Sequence, residues 1–100
     1  MKKVKLYGIE AELPPGTDHP LMVENGEAII CSAQFGNSAY RCVSHTMKEV
    51  FAATAALRWS DLFHLERLSN PQNIEKTRHA RKQSELWREI RDRAITERNK

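Results

Sequence analysis

Three sets of side chains in this 100-residue chain have types and spacings that could do chemistry. Cys31, Cys42 and His45 could ligate a metal. Zinc, however, takes four ligands on converging vectors, and Cys42 and His45 point to opposite faces of a strand that runs through both. The same thiols can instead pack as a pair in a small core, which is the preferred reading, or close a disulfide. Ser44-His45 and Asp61-His64 supply the atoms of nucleophile and base pairs, but no nucleophile elbow, phosphate loop or metalloprotease helix frames them. Glu10 and Glu12 share one strand face, as ordinary exposed carboxylates do. No catalytic residue, metal or cofactor is assigned, and an enzyme is not expected.

The third set is basic. From residue 72 onward there are nine Lys/Arg against five Asp/Glu, whereas residues 1–71 carry seven against eight. Within this segment Lys76, Arg78, His79, Arg81 and Lys82 follow a single acid, Glu75. A helix carrying that block presents a positive field suited to phosphate or to an acidic protein patch. Arg78 and Arg81 are the strongest candidates, because a guanidinium pairs bidentately. Further on, Glu85 with Arg88 and Glu89 with Arg93 are spaced to lace an exposed helix side.

The elements that must position these groups are legible as an α+β chain: a β-meander of three or four strands over 3–44, then two or three helices. Val4 and Leu6 share one parity and Ile9, Ala11 and Leu13 the other, which predicts a β-bulge beside Gly8. Asn25-Gly26 predicts a hairpin pairing Val23 with Ala28 and Met22 with Ile29. Gly36-Asn37 predicts another, with Cys31 facing Cys42. Thr46 to Glu49 matches a capping box that opens a helix over 46–68. One stripe of that helix is Met47, Val50, Phe51, Thr54, Leu57, Leu62, Leu65 and Leu68; a second is Ala52, Ala56, Trp59 and Phe63. The helix either runs unbroken between sheet and last helix or breaks near Ser60-Asp61. Asn70 and Pro71 open a long last helix over 71–98, held to the domain by Leu86, Trp87, Ile90 and Ala94.

Lys48 to Arg67 resembles a helix-turn-helix unit, with Phe51, Ala52, Ala55, Leu57, Leu62 and Leu65 at its small and apolar positions. Ala56 stands where a glycine is usual. The resemblance implies a DNA-binding regulator that reads bases with Arg58, Ser60, His64 and Arg67, beside Trp59 and Phe63. In size and in its lack of recognisable catalytic motifs, the whole chain is similar to the small accessory proteins of temperate phages, such as the anti-RecBCD modulators of lambdoid phages. That similarity implies a stoichiometric inhibitor or modulator of a host nuclease or defence complex. No motif aligns residue by residue, so it carries over no site residue.

The preferred expectation is a non-catalytic protein that docks on a host protein complex through the block from Lys76 to Lys82. Sequence-blind electrostatic binding of nucleic acid is a further reading. Pro71, between two helices, also fits a prolyl-isomerase client, though a plain helix-start proline accounts for it. With no secretory signal behind Met1-Lys2-Lys3, no long apolar run and only two cysteines, a single cytoplasmic domain is expected.

Overall fold

The computed structural model describes residues 3–15, 21–24, 27–35, 38–42 and 45–100, with the strands between 21 and 42 as backbone only. Among these residues are five strands and two helices, an α+β arrangement. The strands divide between two sheets and do not form one meander.

β1 (Lys3–Leu6) and β2 (Ile9–Glu12) form a hairpin in which Leu6 pairs with Ile9 and Lys3 with Glu12. The parity change at Gly8 is therefore a reversal of the chain, not a bulge. Tyr7 and Gly8 both have positive φ, 53° and 78°, the pattern of a two-residue type I′ turn. The reversal puts Val4 and Ala11 opposite each other on one face, and that face is buried. A β-carbon on Gly8 would meet nothing within 4 Å, so its backbone angle, and not lack of space, calls for glycine. Tyr7 is an unusual occupant of such a turn, and it is held there from outside. Its hydroxyl shares a 2.7 Å hydrogen bond with His45 Nδ1, and Lys48 Nζ lies 5.1 Å from its ring centroid.

β3 (Leu21–Glu24), β4 (Glu27–Phe35) and β5 (Ser38–Cys42) form a three-stranded antiparallel meander in that order. Val23 pairs with Ala28 and Met22 with Ile29, the register set by a two-residue loop; Asn25 and Gly26 themselves lie outside the described residues. Phe35 pairs with Ser38 and Gln34 with Ala39 next to the second loop, again as a two-residue connection requires. Gly36 and Asn37 also lie outside the described residues. A register shift between Ser32 and Gln34 then displaces the ladder by one residue. Cys31 consequently pairs with Arg41, and Cys42 with Ile30. The two cysteines are not cross-strand partners.

α1 (His45–Ser69) is one unbroken helix without glycine or proline. Ser60 and Asp61 do not interrupt it, so the third helix is absent among the described residues. Its buried face, Ala52, Ala55, Ala56 and Trp59 at i, i+3, i+4 and i+7, takes three residues of the second stripe and adds Ala55, while Phe63 is only partly buried. Thr46 lies inside the helix and does not cap it, and Glu49 pairs with Arg98 of the second helix. α2 (Ile74–Arg98) begins later than Pro71 predicts. Asn73 caps it, its side chain accepting from the Lys76 amide at 3.3 Å, while Pro71 sits exposed in the preceding turn. Trp87, Ile90 and Ala94 are buried as the helical spacing predicts, joined by Ala80, Gln83 and Ser84, while Leu86 is only partly buried.

The helices pack antiparallel, and alanines at 52, 55, 56 and 80 let them approach closely. The hairpin covers one side of the pair, placing Val4, Leu6, Ala11 and Leu13 against Trp59, Trp87 and Ile90. β4 runs close to β1 without pairing with it. No described helix is long and apolar enough to cross a membrane.

Candidate basic groove between the helices

The inner side of the helix pair is organised on Glu12. In a hairpin with a two-residue turn, hydrogen-bonded pairs alternate outward from Leu6–Ile9, so Lys3–Glu12 is a non-bonded pair. The backbone of Glu12 therefore faces away from β1 and towards the helices. Its amide donates to Gln83 Oε1 at 2.8 Å. Its carbonyl accepts two indole N–H groups, from Trp59 at 2.9 Å and Trp87 at 2.8 Å, which uses both lone pairs. Its carboxylate accepts from His79 Nε2 at 2.7 Å. The buried hydroxyl of Ser84 donates to the Ala56 carbonyl at 3.0 Å.

This node draws on the basic block and divides it. His79 is held by Glu12 and stands edge-on to Trp59. Lys76 lies 3.4 Å from Glu66 across the helix pair. Lys82 borders a cleft against the hairpin, with Lys3, Glu10 and Leu86. Arg78 is exposed and makes no ion pair among the described residues. Arg81 turns to the other side of α2. The five partner-binding candidates are thus not one surface.

On that other side lies a groove of about 400 Å³. α1 contributes Ser60, Phe63, His64 and Arg67, and α2 contributes Arg81, Ser84, Glu85 and Arg88. Its charges are three guanidiniums against one carboxylate. Arg81 Nε donates to Glu85 Oε1 at 3.4 Å, while Arg67 and Arg88 have no acidic partner among the described residues. The expected pairing of Glu85 with Arg88 is not made, nor is that of Glu89 with Arg93. Arg88 also borders a continuation of the groove past Ala53, Ala56 and Leu57 to Arg91, whose guanidinium is occupied by Asp92 at 3.1 Å. Such an arrangement binds anions: forked donors from two helices converge, and an anion between them would relieve their mutual repulsion. A carboxyl held below its ordinary range, that of Glu97 by the Lys100 hydrogen bond, lies at the far end of α2 and takes no part.

The groove combines residues from two separate expectations. Ser60, His64 and Arg67 come from the base-reading set and Arg81 from the basic block. Arg58 lies elsewhere on α1. The helix-turn-helix itself does not form: α1 has no turn near Ala56, which is helical and buried, and Trp59 of the supposed reading surface is buried in the core. An alanine gains more by continuing a packed helix than by taking the left-handed conformation that the turn needs. Arg88 was missed because its neighbour Glu85 offered a local partner; its seven-residue spacing from Arg81, two helical turns on the same face, was the available signal. Among the described residues no group of three or more His, Cys, Asp or Glu could hold a metal ion, and His45 is engaged with Tyr7. Compared with known proteins, the chain matches no family model, no curated protein and no solved structure.

Proposed function

We propose that this is a non-catalytic docking protein whose groove, with Arg78 beside it on α2, grips an acidic surface of a larger protein complex. The observation that supports it is the convergence of Arg67, Arg81 and Arg88 on one groove whose only acid is Glu85. Folding does not require that convergence, since none of the three closes an ion pair between the helices. The kind of partner implied by the similarity to phage accessory proteins is a host nuclease or defence complex. A carboxylate cluster on such a partner would meet two or three forked donors at once, and arginines in that position are frequent hot spots.

The test is capture from nuclease-treated bacterial lysate by the intact chain, followed by measurement of affinity for the recovered partner. Arg67→Ala with Arg88→Ala should weaken binding by roughly a hundredfold, taking about 1.5 kcal/mol for each lost contact. Lys76→Ala, which removes the ion pair with Glu66, should leave it unchanged. Equal loss in both variants would overturn the assignment to the groove. Binding that vanishes on nuclease treatment, is blind to sequence and falls linearly with the logarithm of salt would replace the acidic protein by a nucleic-acid backbone.

A further inference from the structure

Four residues of the first apolar stripe of α1 stay out of the core, although Phe51 and Leu62 pack against it. Val50, Leu57, Leu65 and Leu68 are 56%, 65%, 58% and 83% exposed, and they lie on the side of the helix opposite to Ala52, Ala55 and Trp59. With Thr54 and Asp61 they occupy positions 50, 54, 57, 61, 65 and 68, steps of four and three that follow one straight face for five turns, roughly 27 Å. Single exposed leucines are ordinary, but a continuous line of them along a helix marks an interface.

The middle of the line identifies what covers it. Arg58 and Asp61 are exposed and opposite in charge, and neither makes an ion pair or hydrogen bond among the described residues. Their i,i+3 spacing would allow them to pair with each other, yet they do not. A second copy of α1 laid antiparallel across the stripe, with a two-fold axis between residues 59 and 60, sets Arg58 against the partner's Asp61 and Asp61 against the partner's Arg58. The same axis sets Thr54 against the partner's Leu65 and brings Val50 and the partner's Leu68 within one residue of register. One surface is thereby complementary to itself in both charge and apolar pattern, which is what an isologous contact requires. We propose that the chain forms a two-fold dimer through the outer face of α1, closed by two reciprocal Arg58–Asp61 pairs. The inference is independent of the groove, which lies on the flank of α1 beside this face.

Sedimentation or light scattering of the whole chain tests it. At roughly 100 μM the native protein should run as a dimer of the 11.5 kDa chain. R58D places two acids opposite two acids and D61R places two bases opposite two bases, so each alone should weaken association by roughly tenfold or more. The double variant R58D/D61R should restore the dimer, and an equimolar mixture of the two single variants should form a heterodimer. Leu57→Asp should give a monomer with an unchanged circular dichroism spectrum, because Leu57 is 65% exposed and outside the buried core. A monomeric native protein would overturn the proposal. So would a dimer indifferent to Leu57→Asp, or single reversals that the double variant fails to rescue.

Discussion

The two long sides of the helix pair treat polar groups in opposite ways. On the inner side, Glu12 has its amide, carbonyl and carboxylate all engaged, by Gln83, by Trp59 and Trp87, and by His79. On the groove side, Arg67 and Arg88 are left without an acidic partner among the described residues, a short distance from Arg81. The difference follows from water. A buried amide or indole N–H without a partner costs about 1–3 kcal/mol, so folding must satisfy it. A guanidinium that stays hydrated needs no partner, and crowding it against its like costs only tenths of a kcal/mol. What the inner side shows is how the chain folds; the outer side shows charge that folding has no use for.

That contrast can be broken or sharpened by substitution. The largest effect should come from Trp87, fully buried and bonded to Glu12. Trp87→Ala should cost about 3–5 kcal/mol in denaturant unfolding, whereas Trp87→Phe, which keeps most of the ring and loses the hydrogen bond, should cost much less. If the two variants were equally damaging, the indole N–H and not the packing would hold the node. Next is Gln83→Leu, similar in volume but unable to accept from the Glu12 amide. A loss of about 1–3 kcal/mol is expected, and a neutral result would mean that water replaces the amide. The smallest effect should be that of Arg67→Ala with Arg88→Ala. Thermal stability should stay within about 0.5 kcal/mol of the parent, or rise, as repulsion is relieved. A large destabilisation would show that the groove arginines belong to the fold and would erase the distinction between the sides.

Much of the local architecture was readable. The hairpin between Met22 and Ile29 has the register its loop requires, and the buried face of α2 is the stripe at Trp87, Ile90 and Ala94. Other features were ambiguous for stated reasons. A bulge and a tight reversal both switch parity, and a tyrosine at the first turn position hides the type I′ signature that Gly8 only half displays. Ser60-Asp61 has the chemistry of a cap, but side chains of this kind also sit inside a helix when packing on both flanks holds it, here Trp59 below and Phe63 above. Of the two stripes on α1, the one richer in leucine leaves Val50, Leu57, Leu65 and Leu68 exposed and reaches the core through Phe51 and Leu62. Small alanines were the better core because the helices must come close.

Periodicity, turn residues and caps act within a few residues, so the sequence alone determined an α+β chain, a long last helix and a surplus of positive charge in the last third. Partnership across the chain lay beyond it. Glu12 meets residues 67 to 75 positions away, and Arg67 meets Arg88 only because the helices fold back antiparallel. The choice of which cations are neutralised and which remain free therefore belongs to the tertiary structure: an ion pair depends on distance in space, and sequence spacing predicts that distance only inside a single element.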